Sequence, residues 1–334
     1  MVTPPETPLR LGVRPWSHLV PLALGEVPTA GLDLRVARLA ATPHLLDEPA
    51  LDAGETSFSR YTLARASGDD RLVGIPTFVM RGFRHRCVLV RRDSDADRAE
   101  DLAGARIGLT GWPDSGNTWT RAILRQAGVD LTGIQWTVGP LTADAAGGDR
   151  VGGLVPPPNV RLAGPGESLV GGLLDGSLDA IMTPFMPPGF HHDDSPLRPL
   201  YRDYRRAEAG YGAAVGFIPG IHLIAVKREH VDARPQILVE LAQALDASRR
   251  AWWTTYRKHA DTTPWALAEI DDTERRYGPD WMPSGLAANR AMIAAFCTEL
   301  FAQRIAPAPI DPDALFPEYA KVADEADTDE METE

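Results

Sequence analysis

The densest cationic cluster in this 334-residue chain is Met80-Arg81-Gly82-Phe83-Arg84-His85-Arg86, with three Arg and one His inside six residues. A guanidinium forks onto a carboxylate, and an imidazole exchanges a proton near neutral pH. Apolar stretches flank the cluster on both sides, unlike an ordinary solvated charge run. On an extended backbone Arg81, Phe83 and His85 point one way and Arg84 and Arg86 the other. Arg81 and His85 are therefore the residues expected to face a cleft, with Arg84 as the alternative. A purely structural His85 is the competing reading.

Three further stretches carry suitable chemistry. Arg14-Pro15-Trp16-Ser17-His18 offers a carboxylate clamp, a stacking ring and a proton carrier, although alone it reads as a strand end with a proline turn and a capped helix. In Gly54-Glu55-Thr56-Ser57-Phe58-Ser59 the acid and both serines share one parity. Ser57 or Ser59 would cap the next helix, whose first N–H groups attract an anion. Asp114-Ser115-Gly116-Asn117-Thr118 precedes another helix, and Ser115, Asn117 and Thr118 could present hydroxyls and amides to a carboxylate.

Other chemistries are absent from the pattern. There is no Gly-Lys-[Ser/Thr] phosphate loop and no Gly-x-Gly-x-x-Gly opening a helix, so no nucleotide cofactor is expected. No serine nucleophile elbow occurs. His191-His192-Asp193-Asp194 has metal-ligand residue types, but adjacent side chains diverge and no second cluster accompanies them. It reads as a solvated loop, and no metal is expected. Two cysteines, Cys87 and Cys297, make neither a disulfide framework nor a metal set. The formal net charge of −12 argues against nucleic-acid and anionic-membrane partners.

The elements that must position these residues alternate between strand and helix. Leu9–Val13, residues 33–37, 51–58, 73–79 and 85–90 read as strands, with a helix over 59–66. A second unit starts near Asp101, with strands at 106–110, 134–138 and 178–182 and helices at 119–126 and 168–174. Residues 142–166, rich in Gly and Pro, read as a long surface loop. Residues 217–226 form an apolar strand returning to the first unit, and helices follow from Arg234. The expected division is residues 1–103 with 215–323 as one lobe and 104–214 as the other. Residues 324–334, with seven acids and no base, read as an acidic disordered tail. A cleft between the lobes is expected to hold the ligand, bordered by His222, which interrupts an apolar strand.

Several segments together resemble one family. Asp52-Ala-Gly-Glu-Thr-Ser-Phe-Ser-Arg-Tyr61, Ile75-Pro-Thr-Phe-Val-Met-Arg-Gly-Phe-Arg-His85, Gly176-Ser-Leu-Asp-Ala-Ile-Met-Thr-Pro184, Gly216-Phe-Ile-Pro-Gly-Ile-His222, Ala288-Asn-Arg290 and Leu315-Phe-Pro317 look like the 4,5-dihydroxyphthalate decarboxylases. The resemblance runs in order from about Leu11 to Pro317. It implies an α/β, two-lobed type II periplasmic-binding-protein-like fold with C-terminal helices. It also implies cofactor-independent decarboxylation of a hydroxylated aromatic carboxylate by ring protonation and loss of CO₂. The chain departs from the family's pattern at Trp16-Ser17-His18, where an aromatic–acid–Arg sequence is usual, and at Phe185-Met186, where an Arg usually follows the Pro. Losing an Arg weakens recognition of a second carboxylate.

On this reading His85 or His222 is the acid and Glu55 the partner of a phenolic hydroxyl. Arg14, Arg81 or Arg84 holds a carboxylate, and Trp16 or Phe83 covers the ring. The alternatives are a non-catalytic solute-binding protein of the same fold, or an enzyme resembling dihydroxynaphthoate synthase. The N-terminus, MVTPPETPLRLGVRPW, lacks the charge and apolar run of a secretory signal, and no apolar stretch spans a membrane. A cytoplasmic location and a small aromatic carboxylate partner follow as expectations, and a homo-oligomer is compatible with the sequence.

Overall fold

The computed structural model of the protein describes residues 8–145 and 149–333. These divide into two compact units. The first comprises residues up to Arg81, Gly220–Ala294 and the chain from Asp311, and the second comprises Gly82–Pro219 and Ala295–Ile310.

The first unit is built on strands β1 (Leu9–Val13), β2 (Leu34–Arg38), β3 (Ala53–Ser57) and β4 (Leu72–Arg81). The second contributes β5 (Val88–Arg91), β6 (Arg106–Leu109), β7 (Gln135–Val138), β8 (Val160–Leu162), β9 (Ala180–Met182) and β10 (Leu197–Pro199). Strand β11 (Gly220–Lys227) belongs to the first unit. The helices are α1 (Val20–Ala23), α2 (Phe58–Ala66), α3 (Ser115–Gln126), α4 (Leu169–Leu174), α5 (Tyr204–Val215), α6 (Arg228–Ala233), α7 (Ile237–Lys258), α8 (Ala266–Tyr277), α9 (Leu286–Ala302) and α10 (Pro317–Thr333).

The first sheet has the order β2-β1-β3-β11-β4. β1 lies parallel to β2 and β3, while β11 runs antiparallel to both β3 and β4. β11 is wholly buried apart from partly covered His222 and Lys227, as befits a strand with neighbours on both sides. Its pairing with β4 slips on either side of His222. Pro76 sits in the slipped stretch of β4, an edge strand, where a missing N–H is tolerated. Such irregularities re-aim side chains. On the other side of the strand His222 stands opposite Ser57.

Helix α7 covers the sheet with Leu238, Leu241 and Leu245, each at most 1% exposed and at helical spacing. Its Ser248 hydroxyl accepts from the Leu22 N–H at 3.0 Å and donates to the His18 carbonyl at 2.9 Å. Tyr61 donates to the Leu315 carbonyl at 2.5 Å and accepts from the Gly74 N–H at 3.0 Å, which ties α2 to β4 and the segment before α10.

The second sheet has the order β10-β5-β9-β6-β7-β8. β6 to β9 are mutually parallel along their pairings, and β5 runs antiparallel to β9 and β10. The pairing of β5 brings residues 82–103 into this unit, whereas the sequence suggested a start at 104. Leu89, Leu169, Leu173, Leu178, Ile181 and Leu197 form one apolar cluster here.

Several expected elements differ. The segment 85–90 is not one strand: His85–Cys87 is a 3-10 turn and only Val88–Arg91 is extended, so the parity argument for Arg81, Phe83 and His85 fails. The stretch 142–166 contains edge strand β8, which pairs with β7, and residues 146–148 lie outside the described residues. Helix α10 continues to Thr333, so the acidic stretch expected as a disordered tail is helical through that point. Residues 1–7, seven of the sixteen N-terminal residues read for a signal, lie outside the described residues. No helix among the described residues is long and apolar enough to cross a membrane.

Gly220, at the start of β11, has no room for a side chain: a Cβ there would lie 2.5 Å from the Phe78 ring and 2.8 Å from Met292. Gly220→Ala is expected to cost about 1–3 kcal/mol through overpacking, read as a lower urea midpoint. Gly82, with nothing within 4 Å of the same position, is the control. Gly82→Ala should change stability by less than about 0.5 kcal/mol, and equal midpoints for the two variants would contradict the packing assigned here.

Candidate functional site

In the first unit the end of β1, strand β3 and strand β11 converge on Glu55, which is 0% exposed. Its Oε1 accepts from Arg14 Nε at 2.9 Å and lies 2.5 Å from His222 Nδ1. Its Oε2 accepts from the Arg14 backbone N–H and from Trp16 Nε1, both at 2.9 Å. A carboxylate has about four lone-pair sites, and all four are taken. Glu55 therefore orients the groups around it and has no acceptor left for the phenolic hydroxyl it was expected to hold.

Burial alone would raise the Glu55 carboxyl, but His222 and then Arg14 outweigh it and hold it down at about 2. The acid is thus ionised at neutral pH. The 2.5 Å contact requires a hydrogen between Glu55 and His222 Nδ1. Arg14 Nη2 at 3.2 Å and Thr42 Oγ1 at 3.4 Å from the same nitrogen are then electrostatic neighbours, since Nδ1 carries its proton toward Glu55. That fixes the imidazole tautomer and places the exchangeable lone pair at Nε2. The His222 side chain is 16% exposed and that of Arg14 19%. The Arg14 guanidinium stacks over Trp16 at 4.4 Å and donates to Met80 Sδ at 3.0 Å.

The remaining expected residues divide between the units. Ser57 takes the N-cap position of α2, and Ser59, in its first turn, is buried. His18 packs behind Trp16, with ring centroids 6.2 Å apart, and against Trp252 at 5.9 Å. Burial lowers its pKa to about 4 against the pull of Glu55. Arg81 ends β4 and donates to the Pro283 carbonyl and to Asn289, which turns its guanidinium into the unit's own structure.

Phe83, Arg84, His85, Ser115, Asn117 and Thr118 lie in the second unit, whose boundary falls between Arg81 and Gly82. The cationic cluster read as one device is thereby divided. Arg84 is 3% exposed, and its guanidinium carbon lies 3.1 Å from where a Cβ on Gly116 would stand, across the first turn of α3. Asn117 donates to the Gly111 carbonyl at 2.9 Å and Thr118 to the Asp114 carbonyl at 3.1 Å, while Ser115 is 2% exposed. These groups hold the loop that precedes α3. Phe83 packs edge-on to Tyr211.

His85 is 4% exposed and sits between the Tyr201 and Tyr211 rings at 5.0 and 5.3 Å. Burial lowers its pKa to about 4, so desolvation, rather than repulsion among the arginines, keeps it neutral. Its folded pKa lies below the ordinary value of 6.5, so the unfolded chain binds more protons between these two values. The stability contribution is complete above pH 6.5 and is lost as pH falls toward 4. His85→Phe is expected to flatten part of that slope, measured as urea midpoints at pH 4.5 and 7. An unchanged slope would show that His85 is not held neutral by burial.

His191 to Asp194 are all exposed, and no group of three or more metal-ligating side chains is gathered among the described residues. Phe185, at a position where the resemblance expects Arg, is 63% exposed. Met80 and Thr42 escaped sequence reasoning. Pro76, inside an otherwise regular strand, was the available sign that β4 would be irregular beside His222.

No family model matches the chain. It is 27% identical over 271 residues to a 4,5-dihydroxyphthalate decarboxylase of Comamonas testosteroni, covering 79% of this chain and 82% of that protein. It is 30% identical over 167 residues to one of Pseudomonas putida, covering 50% and 65%. Among solved structures, the alkanesulfonate-binding protein SsuA from Xanthomonas axonopodis pv. citri superposes with a TM-score of 0.52 at 16% identity, covering 95% of this chain and 99% of that one. Two α/β units, a relative aligned over most of both lengths and this superposition agree: the chain is similar in sequence to 4,5-dihydroxyphthalate decarboxylases and has a type II periplasmic-binding-protein-like fold.

Proposed function

We propose that the protein removes CO₂ from a hydroxylated aromatic carboxylate without an organic cofactor, using His222 as the proton carrier. The observation that carries this reading is the saturated, buried Glu55 at 2.5 Å from His222 Nδ1, which fixes the imidazole so that Nε2 exchanges the proton. Protonated His222 donates from Nε2 to the ring carbon that bears the carboxylate. The electron pair of the carbon–carboxylate bond then returns to the ring as CO₂ leaves, and an ortho or para hydroxyl stabilises the protonated ring by electron donation. The departing product carries the proton, and His222 is recharged from solvent. Arg14, whose Nη2 lies 3.2 Å from the imidazole, holds the anionic end of the ligand, while Trp16 borders it. Glu55 acts through His222 and is a positioning residue. The names of the two curated relatives support the reaction class.

The test is a panel of mono- and dihydroxylated benzoates and phthalates, screened by thermal shift and followed by CO₂ release. Turnover of at least one hydroxylated acid, and none of benzoate, is expected. Binding without CO₂ release across the panel would make the protein a non-catalytic binder.

A further inference from the structure

We propose that Met80 is a specificity-determining residue of the ligand site: its thioether takes up Arg14 Nη2 and restricts that guanidinium to a one-nitrogen grip on the ligand's carboxylate. The inference rests on the reading that Arg14 holds the anionic end of the ligand, and it deepens that reading by naming what limits the hold.

The sheet places this methionine. Met80 is the penultimate residue of β4, an edge strand, and the register partner of His222 on β11, with the pairing slipped on both sides of that residue. Residues opposite one another on neighbouring strands have side chains within reach of the same groups. Met80 is only partly covered, and its unbranched side chain suits an irregular gap. Its Sδ accepts from Arg14 Nη2 at 3.0 Å, across 66 positions of sequence.

The donor count on Arg14 follows. A guanidinium has five N–H donors in a fixed fork, and its strong grip on a carboxylate uses two parallel bonds. Those pairs are Nε with Nη2 or Nη1 with Nη2, so Nη2 is common to both forks. Nε is spent on Glu55 Oε1 at 2.9 Å, and Nη2 is spent on Met80 Sδ and abuts His222 Nδ1 at 3.2 Å. Trp16 covers one face of the group, at 4.4 Å. Nη1 meets no acceptor among the described residues, and the Arg14 side chain keeps 19% of its surface exposed. A carboxylate arriving there receives Nη1 without the second, parallel bond.

A thioether is a weak acceptor, so the contact takes a donor from Arg14 without supplying a counter-charge. That suits a carboxylate that must leave. In a ligand with a single carboxylate the group held is the group lost as CO₂, and its negative charge goes with the electron pair that returns to the ring. A two-bond grip would be strongest before the reaction and weaker in the transition state, so it would lower Kd and kcat together. Met80 prevents this by withholding Nη2.

The test compares Met80→Leu, which keeps the apolar volume but has no acceptor, with Met80→Gln, whose carbonyl takes the Nη2 hydrogen in place of sulfur. Exchange of Met for Leu is well tolerated in packed sites, and circular dichroism checks that both variants are folded. The probe is 3,4-dihydroxybenzoate, titrated into the whole protein by calorimetry. Met80→Leu should bind it about tenfold more tightly than the parent, the scale of one added hydrogen bond to a charged group, and Met80→Gln should lie closer to the parent. On the hydroxylated acid that the parent decarboxylates, Met80→Leu should lower kcat and KM together, each about tenfold, with kcat/KM held within about threefold. Unchanged or weaker binding in folded Met80→Leu overturns the proposal, as does equal tightening in Met80→Gln or failure of the probe to bind the parent. CO₂ is scored separately: tighter binding by Met80→Leu with no CO₂ release from any acid of the panel would defeat the enzymatic reading and leave the restricted grip standing, and CO₂ release with unchanged binding would do the reverse.

Discussion

Glu55→Gln is expected to lower decarboxylation about 1,000- to 10,000-fold, the scale seen when a histidine loses its orienting carboxylate. It should also destabilise the protein by about 3 kcal/mol, the scale of breaking a buried ion pair from one side. The physical reason is the donor count. Each carboxylate oxygen receives two N–H groups, from Arg14 Nε and His222 Nδ1 on one side and from the Arg14 backbone and Trp16 Nε1 on the other. Whichever way a glutamine amide is turned, its NH₂ faces two donors. The charge that neutralises Arg14 disappears as well, and His222 loses the partner that holds its proton at Nδ1. Rates should be measured by CO₂ release under conditions where circular dichroism shows the variant folded, and stability from the urea midpoint. Turnover within tenfold of the parent in folded Glu55→Gln would refute the orienting role. The same carboxyl has a folded pKa lowered from 4.5 to about 2, so its contribution is complete above pH 4.5 and lost as pH falls through 2. In Glu55→Gln that acid-limb loss should be missing.

His222→Gln should lower turnover about 100- to 10,000-fold, the usual scale for a general acid, while changing stability much less than Glu55→Gln does. The difference follows from burial. The His222 side chain is 16% exposed where Glu55 is fully enclosed, so a replacement meets solvent rather than a packed wall. A glutamine keeps an N–H to offer a carboxylate but has no proton to give to carbon, so ligand binding should survive within about tenfold by calorimetry while kcat falls. The comparison with His85→Gln separates the two histidines first considered for the acid. His85 is 4% exposed, neutral and enclosed by two tyrosines in the other unit, and its replacement should leave kcat within a few-fold. If His85→Gln stops CO₂ release and His222→Gln does not, the proton carrier has been assigned to the wrong residue.

Much of the framework was legible because its causes are local. Leu9–Val13, residues 73–79 and 217–226 read as strands from their apolar, β-branched residues, and β1, β4 and β11 occupy them to within a few residues. The α7 stripe of Leu238, Leu241 and Leu245 was visible at helical spacing. Misreadings arose where tertiary packing overrode local preference. His85-Arg86-Cys87 leads into an apolar strand, yet the chain turns there in a 3-10 conformation before β5. Residues 160–162 sit in a Gly- and Pro-rich stretch, yet pairing with β7 makes them a strand.

What the sequence by itself determined is therefore the alternation of strands and helices, the return of an apolar strand carrying a single histidine, the acidic overall charge and the resemblance spread along the chain. These rest on composition, on periodicities of two and 3.6 and on residue identity, none of which needs a partner distant in the chain. What only the tertiary structure decided is the company each reactive side chain keeps. Glu55 and His222 are 167 positions apart, and no spacing rule joins them. Antiparallel pairing of β11 with β3 brings them to neighbouring strands, the irregular pairing with β4 surrounds His222, and the end of β1 delivers Arg14 and Trp16 to the remaining acceptor positions. Conversely, Arg81 and His85, only four residues apart, fall on either side of a unit boundary. Sequence proximity lost its meaning there because the strand ended and the backbone turned between them. Burial was decided in the same way: whether a carboxyl is an open acceptor or a saturated one depends on donors that come from separate strands.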